Sequence, residues 1–220
     1  MEYIILDLEW DNAYFPPEKR FINQILQIGA VKLDENFNTV DTFSETICSE
    51  ISKKVTSRFA KLTGITSEIM RSGIPFFEAV EKYNEFAQAA DVTMTWSNSD
   101  LYTIMENQRS LLKNRIKFQM NGYLDLQKLV QHHLRNNGYE SKNQISLEGA
   151  AELLGIETDT YELHTALDDC KVCTLMLKKC YKKSRFDSMV KDTNSRDFYE
   201  RLSKNYLISG HKGQKNPPIV

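Results

Sequence analysis

Cysteine is scarce in this chain, and nowhere does an apolar run grow long. Cys48, Cys170, Cys173 and Cys180 are the four cysteines in 220 residues, too few for a disulfide scaffold. Cys170-x-x-Cys173 has no Cys/His quartet around it, so the thiols read as small apolar core residues suited to a reducing compartment. No apolar stretch approaches the ~20 residues that cross a bilayer, so no membrane association is expected. The opening Met1-Glu2-Tyr3 lacks the basic and apolar regions of a signal peptide, and a cytoplasmic location is expected. Five prolines and nine glycines punctuate the chain without forming a repeat or a low-complexity tract. What remains is ordinary for a globular protein, with 41% hydrophobic and 26% charged residues. The length allows one well-buried domain with a modest appendage.

Charge is small in total and uneven in place. The net charge is −2, yet residues 171–220 hold 12 Lys/Arg against 4 Asp/Glu, a balance of +8. The first 170 residues therefore carry 16 against 26, or −10. Such asymmetry between segments points to an anionic partner or to self-neutralisation.

The pattern predicts strands first and then alternation. Residues 2–9 read as a buried strand, followed by a polar loop through Pro16-Pro17. Residues 25–34 and 39–48 read as the next two strands. A helix is expected over 57–62 with Gly64 as its stop, and another from Pro75 with Phe76, Val80, Tyr83 and Ala87 on its apolar face. Strands follow at 92–96 and 118–124, and helices at 125–136, after Ser146, and from about His164. The division expected is a domain over 1–184 and a basic extension over 185–220. A meander that gives way to alternation suggests an α/β fold, a mixed sheet with helices packed on it.

Carboxylates recur at informative spacings. Asp7 and Glu9 close the apolar run Tyr3-Ile4-Ile5-Leu6, and strand residues two apart share a face. Asp100 ends Trp96-Ser97-Asn98-Ser99-Asp100, just past another apolar run. His164-Thr165-Ala166-Leu167-Asp168-Asp169 stands at the head of a helical pattern. Acidic groups that converge repel one another unless cations lie between them, and hard divalent cations favour oxygen ligands. The arrangement reads as a two-metal phosphodiesterase.

These three segments resemble the motifs of the DEDDh family of 3′–5′ exonucleases, which includes polymerase proofreading subunits and RNase T. Asp7, Glu9, Asp100, His164 and Asp169 match its pattern of Asp-x-Glu, then Asp, then His and, five residues on, Asp. Gln27-Ile28-Gly29-Ala30-Val31 and Leu62-Thr63-Gly64-Ile65-Thr66 extend the likeness over roughly the first 180 residues. The Trp-containing second motif is more similar to the histone-mRNA and small-RNA processing exonucleases, which tilts the expected substrate toward RNA. The resemblance implies an RNase H-like fold and removal of 5′-mononucleotides from a free 3′ end of single-stranded RNA or DNA. It further implies that Asp7, Glu9, Asp100 and Asp169 hold two Mg²⁺ or Mn²⁺ ions about 3.5–4 Å apart, with His164 as general base. A catalytically silent binding module and a polymerase-associated proofreading subunit are the alternatives.

Helical geometry separates two adjacent aspartates. At about 100° per residue, Ala166, Cys170, Cys173, Met176, Leu177 and Cys180 form one apolar stripe. Asp169 falls within it and Asp168 near the opposite side, so Asp169 is the expected ligand and Asp168 a helix N-terminal charge. Leu8 and Trp10 flank Glu9 and are candidate substrate contacts; Trp10 could stack on a terminal base or simply pack. Asp125 reads as a helix N-cap, and His132, His133 and His211 as unspecialised. The basic extension could contact phosphates through Lys212 and Lys215, or act as a strap across the acidic body, with Phe198, Tyr199, Leu202, Tyr206 and Leu207 packed as a helix.

Overall fold

The first strand, β1 (Tyr3–Phe15), alternates its side chains between two buried surfaces, and the whole molecule is organised by that alternation. The computed structural model describes residues 1–139, 143–195 and 198. β1 pairs antiparallel with β2 (Arg20–Leu33), which pairs antiparallel with β3 (Thr39–Thr46). On its other side β1 pairs in parallel with β4 (Val92–Thr95), and β4 with β5 (Gly122–Asp125). A short β6 (Lys191–Asp192) closes that edge antiparallel to β5. The strand order is β3-β2-β1-β4-β5-β6, the mixed sheet expected.

Helices cover both faces. After β3 come α1 (Ser57–Thr63), α2 (Ser67–Ser72) and α3 (Phe76–Ala87). α4 (Asn98–Ser110) follows β4, and α5 (Leu126–Asn136) follows β5. α6 (Leu147–Leu153), α7 (Ala166–Cys180) and α8 (Lys183–Met189) complete the described set. Tyr3, Ile5, Val31 and Leu33 meet Leu129, Val130, Cys173, Leu177 and Phe186 on one face. Ile4, Leu6, Leu8, Ile28 and Ala30 meet Phe76, Val80, Tyr83 and Ile104 on the other. Burying residues of such size stabilises by roughly 1.5–3 kcal/mol each, so sheet and helices hold each other in place.

Local signals set several boundaries. Gly64 ends α1 at φ +73, where a side chain would be strained, and Thr56, Ser146 and Asp125 each accept a backbone N–H at a helix start. Other expectations move. β1 runs on to Phe15 because Asn12 pairs with Asn23 and Tyr14 with Phe21 across the strands, where a loop was expected. Pro75 caps α3 from outside it, and α2 has no counterpart in the sequence reading. β5 is shorter than expected, beginning only at Gly122. Over residues 185–195 the chain is still part of the folded body. Phe186 is buried edge-on to Tyr3 at 5.6 Å, and β6 extends the sheet. Of the apolar run expected to pack as a helix, Phe198 lies against Tyr123 with ring centroids 5.8 Å apart. Tyr199, Leu202, Tyr206, Leu207, His211, Lys212 and Lys215 lie outside the described residues. Cys170, Cys173 and Cys180 are buried as expected, while Cys48 is only half-buried. Among the described residues no helix is long and apolar enough to cross a membrane.

Candidate active site

Asp7 and Glu9 continue the face of β1 that carries Tyr3 and Ile5, and α7 lies over that face. The N-terminus of α7 therefore meets the middle of β1. Asp169, in its first turn, joins Asp7 and Glu9, and one carboxylate oxygen from each lies within 4.8 Å of the others. Two residues of β2 set this approach. Gly29 is so close to α7 that a Cβ there would sit 2.4 Å from the Ala166 carbonyl carbon and the Leu167 nitrogen. Gln27 accepts the Ala166 N–H through Oε1 at 3.0 Å, a cap that Thr165, at the usual position, does not supply.

Asp100, on α4, stands outside the three that meet within 4.8 Å but near enough for its charge to act on Asp7 and Glu9. Ser97 caps that helix by accepting the Ser99 N–H, and Asp100 stands in the first turn. It is 3% exposed, and its Oδ1 is buried without a hydrogen-bond partner. Tyr123 braces the approach to α4, its hydroxyl 2.8 Å from Thr95 Oγ1 and 3.0 Å from Asn98 Oδ1.

Electrostatics makes the four carboxylates one unit. Burial, then the charges of Asp100, Asp169 and Glu9, push Asp7 well above the usual carboxylate range. Burial and the charges of Asp169 and Asp100 raise Glu9 to about 8. Burial raises Asp100 to about 7, against backbone amides that include Leu8. Asp169 rises to about 6 through burial, opposed by the His164 N–H and charge. Four such groups share a low-dielectric space only if protonated or joined by cations. An orphaned buried oxygen beside an all-oxygen donor set fits a hard divalent metal.

Asp168 lies elsewhere. It bridges Lys171 at 2.7 Å and accepts the Glu162 N–H at 2.8 Å, and these contacts outweigh partial burial to hold it below the usual range. His164 is exposed, with φ at +68, a left-handed conformation uncommon for a side-chain-bearing residue. Its N–H donates to Asp169 Oδ1 at 3.3 Å, and its ring has no hydrogen bond among the described residues. Leu8 and Trp10 point to the opposite face of β1. Leu8 is 3% exposed in the core, and Trp10 packs partly against the same cluster. Contact between Leu8 and a nucleotide would therefore have to run through its backbone. The site residues that spacing did not mark are Gln27 and Gly29. They appeared only within a strand motif, and the helix they touch is 139 residues away in the case of Gln27.

This geometry has relatives. A family model described as Exonuclease, RNase T, matches residues 19–177. The chain belongs to the RNase T exonuclease family. The matched span includes Asp100, His164 and Asp169, while Asp7 and Glu9 lie before it. A Bacillus subtilis (strain 168) protein described as probable 3′-5′ exonuclease KapD is 27% identical over 179 residues, 80% of this chain and 82% of that one. The PolC-type DNA polymerase III of Clostridium perfringens (strain 13 / Type A) is 25% identical over 94% of this chain, which spans 12% of the polymerase. Among solved structures, the nuclease domain of 3′hExo, a DEDDh family member bound to rAMP, superposes with a TM-score of 0.67 at 20% identity, covering 87% of this chain and 96% of that one. The sheet is thus the RNase H-like sheet of these exonucleases, and the protein is a hydrolase of the 3′–5′ exonuclease class.

Proposed function

We propose that this exonuclease removes 5′-mononucleotides from the 3′ end of single-stranded nucleic acid, RNA in preference to DNA, using divalent cations and His164. The observation that carries the reading is the meeting of Asp7, Glu9 and Asp169 within 4.8 Å, beside the unpaired Oδ1 of Asp100. These four residues would hold the Mg²⁺ or Mn²⁺ ions. Bound there, such ions would lower the pKa of an attacking water and offset charge on the departing 3′ oxygen. The exposed ring of His164, tethered through its backbone to Asp169, takes the water's proton as the new phosphorus–oxygen bond forms. The bond from phosphorus to the 3′ oxygen breaks, and that oxygen takes a proton from solvent to leave a 3′-hydroxyl on the shortened strand. The water's oxygen stays on the phosphate of the released 5′-mononucleotide. Trp96-Ser97-Asn98-Ser99-Asp100 supports RNA through its likeness to the RNA-processing members. The cytoplasm, where four cysteines without disulfides stay reduced, is the compartment we assign.

The test pairs His164→Ala with matched RNA and DNA strands. The variant should lose about 10²–10⁴-fold in kcat while binding Mn²⁺ like the wild type, and wild-type kcat/KM should be higher on RNA. Lost Mn²⁺ affinity would make His164 a ligand, and a higher kcat/KM on DNA would reverse the substrate preference.

A further inference from the structure

A polar face of α5 leads away from the acidic site to a cluster of positive charge where α8 packs against that helix. Asp125, the cap of α5, lies near enough to Asp100 to raise it electrostatically. Lys128, His132 and Arg135 are spaced i, i+4 and i+7, so they share one face of that helix. Lys128 and Arg135 are exposed and His132 is half-buried, while Leu126, Leu129, Val130 and Leu134 face inward. At the far end α8 packs against α5 and brings Lys182 and Arg185 beside His132. Burial, and then the charges of Arg185, Lys182, Arg135 and His133, hold the His132 pKa below its ordinary value. Among the described residues Asp125 is already bridged by Lys128 at 2.7 Å and Asp187 by Lys183 at 3.0 Å. Among the described residues Arg135, Lys182 and Arg185 have no acidic partner.

Unneutralised cations cost self-repulsion, and a polyanion relieves it. We propose that the α5–α8 face is a phosphate-binding rail for the strand upstream of the 3′ end, which rests on the exonuclease reading above. From Lys128 to Arg135 the rail rises about 10 Å, and a stacked strand advances about 3.4 Å per nucleotide. That face of the helix thus spans roughly three nucleotides, and Arg135, Lys182 and Arg185 supply its unpaired positive charges. The contacts are to the backbone, so the rail binds without regard to base sequence.

The experiment compares two triple variants that each remove three positive charges. Arg135→Ala/Lys182→Ala/Arg185→Ala removes the rail's three unpaired charges. Lys113→Ala/Arg115→Ala/Lys117→Ala removes exposed charge from the loop after α4, at the end of that helix away from the site. Binding of a labelled single-stranded RNA is followed by fluorescence anisotropy across a salt series, in an Asp7→Asn background that prevents turnover. Hydrolysis of a nitrophenyl ester of a mononucleotide, too short to reach the rail, is followed with Asp7 intact. The rail variant should weaken RNA binding on the order of tenfold and lower the salt slope by about 2, at ~0.7 per contact, with ester turnover unchanged. Arg135→Lys/Arg185→Lys should bind like the parent protein. Unchanged affinity and slope, equal losses in the two triple variants, or lost ester turnover in the rail variant would each overturn the rail. Wild-type protein that hydrolyses neither ester nor RNA would count against the exonuclease reading, and the binding comparison would still decide the rail.

Discussion

Asp168 and Asp169 are neighbours with opposite surroundings, and the difference is one of helical angle. Asp169 faces the sheet and joins Asp7 and Glu9, whereas Asp168 bridges Lys171 and accepts the Glu162 N–H. Asp169→Asn should therefore cost more than about 100-fold in kcat, since ligand loss exceeds the 10–100-fold typical of a ligand's supporting residue. Asp168→Asn removes a partly exposed pair worth about 1 kcal/mol or less and should leave kcat near wild type. Steady-state kinetics alongside thermal melts would check both, and equal losses in two folded variants would contradict the assignment. Asp169's placement was legible because Ala166, Cys170, Cys173 and Met176 trace the buried stripe. The orientation of Leu8 and Trp10 was also available in the strand alternation, which sends them away from Asp7 and Glu9, but proximity in sequence concealed it.

At the level of elements, the site depends on how closely α7 sits on β2. Gly29→Ala would drive a methyl into the Ala166 backbone, 2.4 Å away. Backbone cannot swing aside as a side chain can, so the helix must lift, at a cost of about 1–3 kcal/mol or more. Asp169 and His164 ride on that helix start, so kcat and Mn²⁺ affinity should fall together. Gly64→Ala makes the useful contrast, because its Cβ would meet nothing within 4 Å and only the φ of +73 is strained. It should lose roughly 1–2 kcal/mol of stability with kcat retained, and thermal melts with Mn²⁺ titration would separate the two cases. If Gly29→Ala kept full Mn²⁺ affinity, β2 would not be positioning the site. Helix starts such as Asp125 and Ser146 were readable because a cap is a local interaction. The reach of β1 to Phe15, the capping by Gln27 and the burial of Phe186 were not, since each depends on residues distant in sequence. Phe186 in particular sits in a run of charge that reads as solvated.

Over the whole molecule, the acidic centre sets how stability responds to pH and metal. Asp7, Glu9, Asp100 and Asp169 all titrate above their ordinary values, at about 8, 7 and 6 for the last three. Between about pH 4, where these groups ionise in an unfolded chain, and pH 8, the metal-free fold binds more protons than the unfolded state. Its stability therefore falls as pH rises through that window. The Tm in EDTA should be lower near pH 9 than near pH 5, and Mg²⁺ or Mn²⁺ should raise it most at the higher pH. A Tm that climbs with pH in EDTA would mean that the carboxylates do not share one space. Whether these four carboxylates form the cation-dependent centre of a 3′–5′ exonuclease is decided by following a 5′-labelled single-stranded RNA on a sequencing gel. Wild-type protein with Mg²⁺ or Mn²⁺ should produce a ladder that shortens one nucleotide at a time from the 3′ end, absent in EDTA and in Asp7→Asn. Release of labelled mononucleotide at the outset, or a ladder that persists in excess EDTA, would contradict it.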